Sequence, residues 1–91
     1  MRLILFAVFL IVACATGAAA GPWEDAVSAY RSRDYAMAAK LFRSLAKQGH
    51  ARAQNNLGML YRDGLGIPQD FVRAHMWFSV STVTLSGDNG L

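Results

Sequence analysis

Cysteine occurs once in these 91 residues, at Cys14, so no disulfide can form within the chain. Two histidines and that one cysteine are also too few and too scattered for a zinc site of the usual kind. Proline occurs only twice, and both Pro22 and Pro68 fall where a helix would start, where the missing N–H is not needed. No apolar run reaches the roughly 20 residues that a membrane-spanning helix requires. Basic residues never form a run. Arg31, Arg33, Lys40, Arg43, Lys47, Arg52, Arg62 and Arg73 are spread singly along both helix pairs, with acids among them on either side of 35–62, the pattern of a solvated surface and not of a nucleic-acid stripe.

What is present divides at residue 20. Arg2 precedes Leu3-Ile-Leu-Phe-Ala-Val-Phe-Leu-Ile-Val-Ala13, eleven apolar positions, and then the small residues Thr16-Gly17-Ala18-Ala19-Ala20. That order predicts a secretory signal peptide over 1–20, with Ala18-Ala19-Ala20 meeting the small-residue requirement for cleavage before Gly21. Ile11-Val12-Ala13-Cys14 is the competing signal, resembling the lipobox of bacterial lipoproteins, in which Cys14 is lipidated and anchors the chain. Either reading places the protein in the periplasm or outside the cell. Without Arg2 the formal charge falls from +3 to +2.

Beyond Gly21 the apolar residues recur at helical spacing. Pro22, Glu24 and Asp25 suit the first turn of a helix that runs to about Arg31, the two carboxylates lying at the positive end of its dipole. Ser32-Arg33-Asp34 is a tight turn with Asp34 as N-cap, and the next helix, through about Lys47, carries Met37, Ala38, Leu41, Phe42 and Leu45 on its apolar face. Gly49 ends it. A third helix places Ala53, Leu57, Leu60 and Tyr61 on one side, with Gly58 small enough for a neighbour to come close. Gly64 and Gly66 close that helix, Pro68 and Asp70 open a fourth, and Ala74, Trp77, Phe78 and Ser81 continue the stripe.

The two halves repeat. Asp34-Tyr35, Ala38 and Leu41-Phe42 recur as Asp70-Phe71, Ala74 and Trp77-Phe78, each thirty-six positions on. The pattern Ala51-x-Ala53-Gln54-x-x-Leu57-Gly58-x-x-Tyr61-x-x-Gly64-x-Gly66-Ile67-Pro68-x-Asp70-x-x-x-Ala74-x-x-Trp77-Phe78 resembles the SEL-1-like repeat family, relatives of the tetratricopeptide repeats. The resemblance implies an all-α protein of antiparallel helix-turn-helix repeats, an α/α solenoid of about four short helices after the signal peptide. Its parts would be the leader 1–20, a degenerate first repeat 21–48, a SEL-1-like repeat 49–86 and a tail 87–91. Two departures stand out. Arg33 occupies a position where glycine is common, and Ser81-Thr82-Val83-Thr84 replaces an alanine-rich helix. These poor helix formers predict fraying before Ser86 and a turn at Gly87-Asp88-Asn89-Gly90.

Related repeats line a concave groove with the first helix of each pair. The matching residues are Trp23, Val27, Tyr30 and Arg31 in one repeat and Arg52, Asn55, Met59 and Arg62 in the next. The numbers 52, 55, 59 and 62 also share a helical face by spacing alone. Methionine offers adaptable apolar contact, while arginine and asparagine offer donors to a carboxylate or peptide backbone. The competing reading is an ordinary solvated face. The expected function is a non-catalytic protein- or peptide-binding module of the cell envelope, with no cofactor, no metal and no nucleic-acid partner. A small envelope hydrolase using His75 and Ser79 is the alternative, since residues four apart share a face. No acid orients that histidine, however, and no oxyanion motif accompanies the serine. A truncated repeat protein with no independent role is the third reading. Gly64-x-Gly66 lacks a preceding strand and a following lysine, so it is not a phosphate-binding loop.

Overall fold

The computed structural model describes residues 21–90. The signal peptide and the Cys14 lipidation site expected from the sequence lie outside the described residues. Four helices follow one another: α1 (Pro22–Arg31), α2 (Tyr35–Lys47), α3 (Ala51–Asp63) and α4 (Phe71–Gly90). Each packs on the next, α1 with α2, α2 with α3 and α3 with α4, so the chain forms two helical hairpins stacked side by side.

Every helix start has an identifiable cause. Pro22 opens α1, and the carboxylate of Glu24 accepts from the backbone N–H of Gly21 at 3.0 Å. Asp34 caps α2 by accepting from Met37 N–H (3.3 Å), and Asp70 caps α4 by accepting from Arg73 N–H (3.0 Å). His50 caps α3, its Nδ1 accepting from Ala53 N–H at 3.1 Å. Pro68 does not begin α4 as expected. It lies in the loop before Asp70, whose N–H donates to Tyr61 O (2.9 Å) and so fixes where the helix begins. The helix ends use left-handed residues. Gly64 terminates α3 with φ 68°, and Arg33 takes φ 64° after α1 despite its side chain.

The core is a single cluster shared by all four helices. Ala26, Ala38, Phe42, Leu45, Ala53, Leu57, Leu60, Tyr61 and Ala74 are buried, with Trp23, Leu41, Trp77 and Phe78 packed half-buried against them. Gly58 lets α3 and α4 approach, because a Cβ there would lie 2.7 Å from the Phe78 ring. Met37, expected on the apolar face, is 44% exposed; it sits a third of a turn away from Ala38 and Phe42 and points out of the cluster.

The largest departure from expectation is the length of α4, which runs to Gly90 through the predicted fraying point and turn. The serines and threonines there do not pull the backbone out of the helix. Thr82 Oγ1 donates to Phe78 O (3.1 Å) and Ser86 Oγ to Thr82 O (2.9 Å), bonds that keep the hydroxyls within the helix. Ser81 is buried and donates to Ala51 O at 2.9 Å, tying α4 to the start of α3.

Candidate functional site

Burial of Ala53, Gln54, Leu57, Gly58, Leu60 and Tyr61 turns the opposite face of α3 outward, toward the same side as α1. Two depressions lie on that side. The first, about 250 Å³, has Val27, Tyr30 and Arg31 of α1 on one wall, Asn56 and Met59 of α3 on the other, and Phe42 of α2 between them. Its lining is mainly apolar, with donors at Arg31 and Asn56. The second, about 530 Å³, includes Trp23, Arg52, Asn55, Asn56, Phe78 and Leu85. Asn56 borders both, so the two form one discontinuous channel.

Trp23 anchors the second depression and is itself held on several sides. Its ring stacks on His50 with centroids 4.8 Å apart and 14° between planes, and meets Phe42 edge-on at 5.6 Å. The Arg52 guanidinium lies 4.7 Å from the same ring, a cation–π distance. Asn55 makes a weak contact of 3.8 Å from its amide to the Met59 sulfur. Tyr30 is joined edge-on to Tyr35 at 5.4 Å.

Seven of the eight residues expected in the groove therefore border a depression: Val27, Tyr30, Arg31 and Met59 the first, Trp23, Arg52 and Asn55 the second. Arg62 lines neither. It makes a two-pronged pair with Asp63 (2.9 and 3.2 Å), and its hydrogen bonds hold the Asp63 carboxyl below its usual range. Asn56 and Phe42 were not anticipated. Asn56 is one turn beyond Arg52, so helical spacing carries its signal, whereas Phe42 read only as core.

His75 and Ser79 are both exposed on α4, and no hydrogen bond joins them. Among the described residues no group of three His, Cys, Asp or Glu is placed to hold a metal, and no helix is long and apolar enough to cross a membrane.

Stacked helical hairpins with an open channel along their first helices define a helical-repeat scaffold. The sequence model of the Sel1 repeat matches residues 28–50 and 51–80, over half the chain, and the protein belongs to the Sel1 repeat family. Such repeats are generally non-catalytic and serve protein–protein interaction. No curated protein and no solved structure matches the chain.

Proposed function

We propose that this protein is an exported Sel1 repeat module that holds an extended segment of a partner protein in the α1–α3 channel, without turnover and without a cofactor. The observation that carries this reading is the chemistry of the channel. Val27 and Met59 supply an apolar surface over the buried Phe42, while Arg31 and Arg52 border the channel without a carboxylate partner among the described residues. Guanidinium groups without such partners favour an acidic or carboxylate-bearing segment, which they can hold by paired hydrogen bonds.

Export rests on the leader. Cleavage before Gly21 is favoured over lipidation at Cys14, and intact mass of the envelope-localised protein distinguishes the two.

The functional test is partner capture by crosslinking from the envelope fraction. Arg52→Ala combined with Asn55→Ala should weaken capture about tenfold or more, since one charge-assisted hydrogen bond contributes about 1.5–3 kcal/mol. The helical circular-dichroism spectrum should stay unchanged. Capture that survives this change but is lost on altering His75 and Ser79, which are exposed on α4 and border neither depression, would mean that the partner docks on the outward face of α4, and the channel reading would fail.

A further inference from the structure

A third depression faces away from the channel and is lined by different residues. It holds about 420 Å³ between Arg43 and Lys47 of α2, Tyr61 of α3, and Arg73, Met76 and Trp77 of α4. Tyr61 projects from the side of α3 opposite Met59, so the two sites lie on opposite faces of that helix.

Three cations meet here with little to neutralise them. Arg43 and Lys47 have no carboxylate within ion-pair distance among the described residues, and Arg73 has only the half-buried Asp70, at 3.5 Å. Both guanidiniums instead donate to one neutral acceptor, the Tyr61 hydroxyl, Arg43 Nη2 at 3.4 Å and Arg73 Nη1 at 3.5 Å. Those distances are at the long end for hydrogen bonds, and each guanidinium has further N–H groups to offer. Burial pushes the Tyr61 phenol up, but the hydrogen bond from Arg73 and the charge of Arg43 outweigh it and bring the group below its ordinary value of 10.0. Like charges held this close repel, and the neutral phenol answers that repulsion only in part.

We propose that Arg43, Lys47, Arg73 and the Tyr61 hydroxyl form a binding site for a phosphate monoester whose attached group lies against Trp77 and Met76. A carboxylate would satisfy one guanidinium fork. A phosphate dianion has enough acceptor oxygens to engage both forks and the ammonium, and its charge matches the excess left after Asp70. The aromatic and thioether wall then favours an ester with a carbon skeleton over the free inorganic ion. The ester arises either from a soluble metabolite or from the headgroup of a lipid.

The test titrates the full chain with inorganic phosphate and with glycerol 3-phosphate at constant ionic strength, following backbone amide NMR signals and tyrosinate absorbance. Vesicles of phosphatidylcholine containing phosphatidic acid are compared with vesicles containing the same fraction of phosphatidylglycerol, a diester. Saturable shifts concentrated at Arg43, Lys47, Tyr61 and Arg73 are expected, with the earliest tyrosine ionisation moving to higher pH as the anion binds. Arg43→Gln with Lys47→Gln should weaken binding about tenfold or more. Removing the same charge at Arg33 and Lys40, which border none of the depressions described above, should not. Response to glycerol 3-phosphate identifies a soluble ester, and recruitment by phosphatidic acid alone identifies a lipid headgroup. Shifts spread evenly over all arginines, equal recruitment by phosphatidylglycerol, or no response to any probe would overturn the site. The wild-type spectra decide this even if the double variant unfolds.

Discussion

The second helices of the two repeats, α2 and α4, begin alike and end in different surroundings. Each is capped by an aspartate, Asp34 or Asp70, and each buries an alanine four residues later, Ala38 at 0% and Ala74 at 2% exposure. Beyond that point the pair diverges. Phe42 is 1% exposed while Phe78, thirty-six positions on, is half-buried at the edge of the channel. Ala39 and Ala46, both 2% exposed, correspond to His75 and Thr82, which are exposed. The Arg43–Tyr61 bond shows that this side of α2 faces α3. The same motif therefore gives different burial according to its neighbours, and α4 turns outward the face that α2 uses for stacking. His75 and Ser79, the pair expected of a hydrolase, lie on that outward face beside the exposed Val72 and Val83.

The largest effect should come from testing this asymmetry directly. Phe42→Ala should cost about 3–5 kcal/mol, whereas Phe78→Ala should cost roughly half as much because its ring keeps part of its exposure. Helical proteins of this size rarely exceed about 3–5 kcal/mol from one core, so Phe42→Ala should leave little folded protein without a stabilising osmolyte. Urea unfolding followed by circular dichroism measures both. Equal losses would mean that the outer face of α4 is covered in solution, and the comparison would have to be redrawn.

The loops differ as well. The first repeat turns through Ser32–Asp34, while the second uses Gly64–Asp70, and the longer loop reaches back to the first repeat. Gly66 has φ 75°, and a Cβ there would collide with the carbonyl of Tyr35 at the start of α2. Gly49 also has positive φ, 89°, but a Cβ there meets nothing within 4 Å. Gly49→Ala should cost about 1–2 kcal/mol from backbone conformation alone, and Gly66→Ala about 1–3 kcal/mol more from overpacking. Similar melting temperatures for the two variants would show that the loop is not pinned against α2.

The repeat architecture was legible because its signals are local. Periodicity identifies Ala38, Phe42, Leu57, Leu60 and Tyr61 as core, and Asp34, Gly49, Gly64 and Asp70 mark turns at their observed positions, whereas Gly87 does not. The hidden features depend on distant partners. Nothing in its immediate sequence marks His50, yet it caps α3 and stacks on Trp23, twenty-seven residues earlier. The Arg43–Tyr61–Arg73 cluster needs three helices to assemble, and no spacing rule brings those numbers together. Helix propensity misjudged α4 because it cannot register hydroxyls that bond back within the helix. For the channel, helical spacing places Arg52, Asn55 and Met59 on one face, but it cannot tell that Arg62 is engaged by Asp63.

The smallest effect concerns the one place where the first repeat breaks the rule that the second obeys. Arg33 and Gly64 each follow a tyrosine, Tyr30 or Tyr61, by three residues, and their φ angles of 64° and 68° are nearly the same. Left-handed backbone disfavours a side-chain-bearing residue by about 1–2 kcal/mol, while glycine loses more freedom on folding, which offsets about 0.5–1 kcal/mol of any gain. Arg33→Gly should therefore stabilise the protein by about 0.5–1 kcal/mol, a net effect of backbone strain against chain entropy. Gly64→Arg should do the reverse and cost somewhat more, because a Cβ there lies only 3.2 Å from the Cβ of Gln69. The exchange carrying both changes should come out close to neutral or slightly destabilised in urea unfolding. A loss of stability in Arg33→Gly alone would show that the arginine side chain holds the turn by a contact of its own, and that the two turns share a shape without sharing its cause.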